Sequence, residues 1–328
     1  MIKKFTFLFI LSTFLLVFSA YAQVDKTQSD TLMSDYDKEM LEALYEFEND
    51  SLGFLSLIDS LLKMEDQKYS VISIRTGYVS NIVNAGRSFG VNQFGLNTGT
   101  SYYHHSGFFV DLAAFWNSQF EPAFGPVITT AGYMGEIKPW WTIVASYDHF
   151  FQRDVKSFEE SDEWVEQYLS TLYPTLNNAL NLSQMLNHKK FFANLDYTFL
   201  FGQQTAHRIM GNFSGNLILR DKWIFDRIRF MPGVNILLGN ATVTNFRIDS
   251  VRIGRSRRFR DVLVMEQNNA FGLMNYGFTT PLSLSIGKYS MMLSYQYNKP
   301  VSLPGERLDT QSNSYVSLAL IYNLMIKH

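Results

Sequence analysis

Tyr289-Ser290-Met291-Met292-Leu293-Ser294-Tyr295-Gln296-Tyr297-Asn298 is the stretch whose reading decides the fold. Tyr289, Met291, Leu293, Tyr295 and Tyr297 alternate with Ser290, Ser294, Gln296 and Asn298. Successive side chains of an extended strand point to opposite faces, so one face here is apolar and aromatic and the other polar. Phe191 to Phe201 repeats the pattern, with Phe191, Ala193, Leu195, Tyr197, Phe199 and Phe201 apolar and Asn194, Asp196 and Thr198 between them. Near the C-terminus Val316, Leu318, Leu320, Tyr322, Leu324 and Ile326 share a face.

This period of two runs from Lys68 onward. A wall with lipid outside and a wet or polar-filled lumen inside demands such strands, because only alternate residues face lipid. The composition agrees: 28 Phe and 18 Tyr accompany a mean hydropathy of only -0.07, and no stretch after the N-terminal one is long and apolar enough for a membrane helix. Twelve runs stand out, at 68–80, 91–104, 107–118, 126–137, 140–152, 175–187, 189–202, 207–220, 222–237, 271–286, 288–299 and 312–326. Short links around His105-Ser106, Lys138-Pro139, His188, Asp221 and Gly287 alternate with long ones such as Asn81 to Gly90, Arg153 to Pro174, Leu238 to Ala270 and Pro300 to Gln311. Outer-membrane barrels sort their loops in this way, short to the periplasm and long to the outside. The sequence therefore predicts an all-β fold, a transmembrane antiparallel up-and-down barrel of about 12 strands over residues 68–328, with both ends periplasmic. Trp140, Trp141, Trp223, Tyr102 and Tyr289 beside the short turns suit an interfacial aromatic girdle.

Ahead of the barrel, Lys3 and Lys4 precede an apolar run from Phe5 to Phe18 and then Ala20-Tyr21-Ala22, which reads as a signal peptide over residues 1–22. Residues 23–67 are acidic and helical in pattern, with Leu41, Leu44, Tyr45, Phe54, Leu55, Ile58, Leu61 and Leu62 at spacings of three and four. They are expected in the periplasm, as a preamble at the barrel mouth, a plug or a docking segment for a protein partner. The chain has no Cys, which excludes disulfides, thiolate metal sites and a lipid-modified cysteine. Loss of Lys3 and Lys4 with the signal takes 28 basic residues to 26 against 30 acidic ones, a net charge near -4. Such a balance gives no reason to expect nucleic acid as a partner.

Behind its signal peptide and over residues 68–328 the chain resembles outer-membrane β-barrel proteins of Gram-negative bacteria as a class. The phenylalanine-rich signal and the Asn- and Tyr-rich strands look like Bacteroidota proteins. The resemblance implies location in the cell outer membrane, contact with its lipid and lipopolysaccharide, and a role as pore, enzyme, adhesin or subunit of a larger complex. One departure is the terminus, Met325-Ile326-Lys327-His328, where barrels of this class end in an aromatic residue read by the assembly machinery.

Alternation assigns Arg75, Asp111, Asp148, Asp196, Arg208, Arg227 and Arg229 to the lumen. A salt-bridged, packed interior accounts for both signs without any function, and a charge-lined pore is the sharper reading. For catalysis, His104, His105 and Ser106 fall in a short turn without a third group to orient an imidazole, and Asp148 and His149 are neighbours that point to opposite faces. No phosphate loop, GxSxG or HExxH pattern occurs, so no catalytic residue, metal site or cofactor is assigned. The expected function is a non-enzymatic barrel, either a narrow solute channel or a subunit of an envelope complex. The alternative is a lipid-directed, phospholipase-like hydrolase.

Two long external loops carry opposite charge. Residues 153–168 hold Asp154, Glu159, Glu160, Asp162, Glu163 and Glu166 against Arg153 and Lys156; residues 247–261 hold Arg247, Arg252, Arg255, Arg257, Arg258 and Arg260 against Asp249 and Asp261. Either they fold toward each other over the mouth, or each is solvated and the arginines meet lipopolysaccharide phosphates.

Overall fold

The computed structural model describes residues 69–81, 83–84, 87–88, 94–118, 124–151, 176–188, 190–202, 205–252, 259–304 and 311–327. The residues read as a signal peptide (1–22), as an acidic helical segment (23–67) and as the acidic loop (153–168) lie outside the described residues.

Twelve antiparallel strands close into a barrel. In chain order they are β1 (Tyr69–Val79), β2 (Gly95–Tyr103), β3 (Phe108–Asn117), β4 (Phe124–Lys138), β5 (Trp141–Phe151), β6 (Asn178–His188), β7 (Phe191–Phe201), β8 (Thr205–Gly215 with Leu217–Lys222), β9 (Phe225–Phe230 with Gly233–Arg252), β10 (Phe259–Thr279 with Leu282–Ile286), β11 (Tyr289–Pro300) and β12 (Asn313–Lys327). Each pairs with its neighbours in sequence, and β1 closes the ring on β12 from Tyr69↔Lys327 to Val79↔Ser317. Closure removes the open edges a flat sheet would expose.

Prolines explain the three divided strands. Pro232 and Pro281 have no N–H to give to the ladder, so the regular pattern breaks beside them. Their carbonyls still accept, from Gly215 N and Met231 N at 2.9 Å each. Register is unbroken across the gap: Ser214 faces Gly233 on one side and Leu217 faces Phe230 on the other.

The pleat sorts the residues as the alternation requires. Outward stand Phe108, Val110, Leu112, Phe191, Leu195, Phe213, Val234, Ile236, Tyr295 and Tyr297, all exposed, while Ser73, Ser101, Asn194, Asn275, Ser283, Ser294, Asn298 and Ser317 face inward and are buried. A water-soluble protein has the reverse distribution. At the end that carries the turns at His104–Gly107, 139–140, 223–224 and 287–288, Trp140 stacks on Trp141 with ring centres 6.3 Å apart, Lys138 Nζ lies 5.3 Å over Trp140, and Trp223 is 87% exposed.

One expected boundary is wrong. Residues 238–270, read as a long loop, instead continue β9 and β10 as a two-stranded ribbon in register from Leu238↔Leu273 to Arg252↔Phe259. Arg247, Arg252 and Arg260 belong to its strands, and Arg255, Arg257 and Arg258 lie outside the described residues. The run Val243 to Val251 alternates less cleanly than the wall strands, and its polar content looks like a loop. β9 pairs with β8 from Ser214 to Arg208, opposite Gly233 to Gly239, and β10 with β11 only up to Asn275↔Pro300. Beyond those points, among the described residues, the ribbon strands pair with each other.

Candidate functional site in the barrel interior

From β1 to β7 the interior is layered. Toward the short-turn end Val71, Tyr103, Phe109, Val144, Met185 and Phe192 form an apolar cluster, and toward the other end Ala113, Phe115, Ile128, Phe150, Ala179 and Leu200 form a second. A polar belt lies between them. Its order comes from the strands themselves: Phe109, Asp111 and Ala113 are successive inward positions of β3, and Val144, Ser146, Asp148 and Phe150 of β5.

Arg75 on β1 anchors the belt. Its Nη1 and Nη2 donate to Asp111 Oδ1 and Oδ2 at 2.5 and 2.7 Å, and Nη1 also donates to Ser101 Oγ at 2.8 Å. This two-pronged arrangement is the strong form of the pair. Gly99, opposite Arg75 in register, leaves the room: a Cβ there would stand 2.7 Å from Arg75 Cζ. Farther round, Asn181 Nδ2 donates to Asp148 Oδ2 at 2.5 Å, and Asn194 Nδ2 donates to Asp196 Oδ2. The second oxygen of each, Oδ1, is buried and makes no well-formed hydrogen bond, although Thr130 stands opposite Asp148 and Ser183 opposite Asp196.

The remaining three candidates lie on the inner face of β8 and β9. Arg229 is 2% exposed and donates from Nε to Asn216 Oδ1 at 2.8 Å; Asn216 Nδ2 reaches Asn187 Oδ1 at 3.2 Å. Arg227 is half-buried two residues away on the same strand face. Arg208 and Asp196 line one cavity of about 150 Å³ with Thr198, Asn212, Asn235, Asn275 and others. The structure thus brings Arg75 to Asp111 and Asp196 to the cavity of Arg208. Acids occupy β3, β5 and β7, arginines β1, β8 and β9, so opposite signs meet at Arg75–Asp111 and in the cavity of Asp196 and Arg208.

Sequence reading missed the amides. Asn194, Asn212, Asn235, Asn298 and Asn313 lie on one register line across β7, β8, β9, β11 and β12, with Gly277 holding the β10 place. Each strand carries its asparagine at a different point, and only the register aligns them.

Outside the barrel, His149 Nδ1 lies 2.9 Å from Asn178 Oδ1, which also accepts from Tyr147 Oη at 2.6 Å. Thr129, His149 and Asn178 are register partners on β4, β5 and β6. His104 Nδ1 lies 2.7 Å from Ser106 Oγ within its turn. Among the described residues no three His, Asp or Glu side chains converge as a metal site would require.

No protein-family model matches the chain, and no curated protein does. Among solved structures it is similar to the KdgM porin (8% identity, TM-score 0.40, covering 77% of this chain and 98% of that one). It is likewise similar to the NanC porin (9%, 0.42, 77% and 100%) and to an outer membrane channel from Pseudomonas putida F1 (9%, 0.40, 78% and 96%). What those proteins conduct is a property of theirs.

Proposed function

We propose that this chain is a narrow, non-enzymatic channel of a Gram-negative outer membrane, with both termini and the short turns on the periplasmic side. The outward apolar wall supports the membrane setting. The observation that carries the channel is the polar belt: Asp148 and Asp196 each bury a carboxylate oxygen that makes no well-formed hydrogen bond, with only the Thr130 and Ser183 hydroxyls opposite. An ionised carboxylate in a dry interior costs several kcal/mol, roughly, after relaxation, and buried polar atoms as a rule find partners, so water or solute completes these two. A hydrated belt between apolar layers is a constriction, and the balance of its charges sets ion preference.

Planar-bilayer recording tests this. Discrete conductance steps are expected, with Asp196→Asn shifting preference toward anions and Arg208→Gln toward cations. Absence of any conductance from correctly folded protein would remove the channel. A second reading, the lipid-directed hydrolase, rests on His149 of the outer wall, whose Nδ1 lies 2.9 Å from Asn178 Oδ1, while the Thr129 hydroxyl beside it donates to the His149 backbone carbonyl rather than to the imidazole. Fatty-acid release from added phospholipid, lost in His149→Ala, would establish it.

A further inference from the structure

The asparagine line is a built feature of the inner wall. Asn194 faces Asn212, Asn212 faces Asn235, Asn235 faces Gly277, Gly277 faces Asn298 and Asn298 faces Asn313, so six neighbouring strands contribute one position each. Strands stand about 4.8 Å apart, and barrel strands tilt by roughly 35–45°, so a line across them climbs the lumen as it goes round. Over five steps the climb is roughly 15 Å.

Local packing keeps this line polar. At Gly277 a Cβ would meet Asn235 Oδ1 at 2.7 Å and Asn298 Oδ1 at 3.0 Å, so no side chain fits between the two amides. Asn275 shares the inner face with Gly277 two residues on, and Met274 beside it is the extra residue of a bulge opposite Leu237 and Leu238. Asn275 Nδ2 donates to Asn298 Oδ1 at 3.1 Å, Gln296 Nε2 does so at 3.1 Å, and Asn298 Nδ2 donates to Asn313 Oδ1 at 3.3 Å. Two acceptors are left over. Asn275 is 2% and Asn194 4% exposed, and the Oδ1 of each has no hydrogen bond. Asn275 lines the 150 Å³ cavity with Asn212, Asn235 and Gln296, beside Asp196 and Arg208 and apolar side chains such as Met210 and Leu237.

Resting on the channel reading, we infer that this amide track takes uncharged, hydroxyl-rich solutes, simple sugars and short neutral oligosaccharides, passing them from strand to strand. The chemistry is one of matching. Each amide offers a donor and an acceptor without charge, as each sugar hydroxyl does, so hydrogen bonds to one replace hydrogen bonds to the other with no ion to desolvate. An ionic solute would meet mostly neutral groups on this arc, Asp196 and Arg208 being the charged residues of the same cavity, and an apolar one would leave the amides unsatisfied. Repeated, nearly equivalent contacts hold a solute weakly at many points, which permits exit as well as entry.

Proteoliposome swelling and direct binding together test the inference. Maltose should permeate faster than gluconate or lysine of smaller mass, and maltotriose should bind the detergent-solubilised protein with a saturable calorimetric signal. Asn235→Leu should weaken that binding about fivefold, the loss of roughly one hydrogen bond, and Asn212→Leu similarly; a heat-modifiable band confirms that each variant folds. Uniform swelling with all solutes, and no maltotriose binding, would overturn the sugar track while leaving the channel. Maltotriose binding without any permeation would leave the track and overturn the channel. Neither binding nor permeation from folded protein would overturn both.

Discussion

Arg75 spans three strands with one side chain, from β1 past Ser101 on β2 to Asp111 on β3, with Gly99 leaving its path clear. Removing one member of such a buried pair strands the other, at a cost of about 3–5 kcal/mol, whereas replacing both with apolar residues of similar volume costs far less. Arg75→Ala should therefore sharply lower the temperature at which the folded band converts on a detergent gel, and Arg75→Met with Asp111→Leu should recover much of it. Equal losses in single and double variants would show that the pair is not what holds these strands. At this scale the sequence was informative about orientation and silent about partnership. Alternation alone puts Arg75 and Asp111 inside; that they meet follows from the register Ser101↔Asp111 and Gly99↔Arg75, which no spacing in the chain reveals. The asparagine line was hidden for the same reason.

Among the elements, the wall strands were legible because lipid on one side and polar interior on the other enforce period two over ten or more residues. The divided strands are continuous where Pro232 and Pro281 interrupt only a donor. The ribbon was not legible: among the described residues Thr242 to Arg252 pairs with no strand outside the hairpin, so its polar residues read as loop. Its independence can be checked. Replacing residues 244–267 with Asn-Gly, which suits a tight hairpin turn after Val243↔Asn268, should leave an assembled barrel with a nearly unchanged unfolding temperature. Failure to assemble would make the ribbon part of the barrel's folding unit. Whether residues 153–168 meet the basic residues of 247–261 over the mouth has its own test. Exposed ion pairs contribute about 0–1 kcal/mol each and are screened within about 8 Å at physiological salt, so protease access to residues 153–168 should rise with ionic strength, and Arg255→Glu with Arg257→Glu and Arg258→Glu should mimic high salt. Access indifferent to both would leave the two segments separately solvated.

For the molecule as a whole, one inside-out distribution joins fold to function: apolar rings outward, amides, hydroxyls and paired charges inward. The channel requires that the inner set meet water while the outer set meets lipid. Absence of cysteine makes this directly measurable, since any introduced thiol is the sole one. Gln296 and Tyr297 are successive residues of β11, the first lining the cavity and the second 41% exposed on the outer wall. In whole outer membranes a small, charged, water-soluble thiol reagent should label Gln296→Cys and spare Tyr297→Cys, while a lipid-soluble maleimide should label Tyr297→Cys. Equal labelling of both by the charged reagent, or protection of Gln296→Cys from it, would contradict a hydrated channel through a membrane barrel.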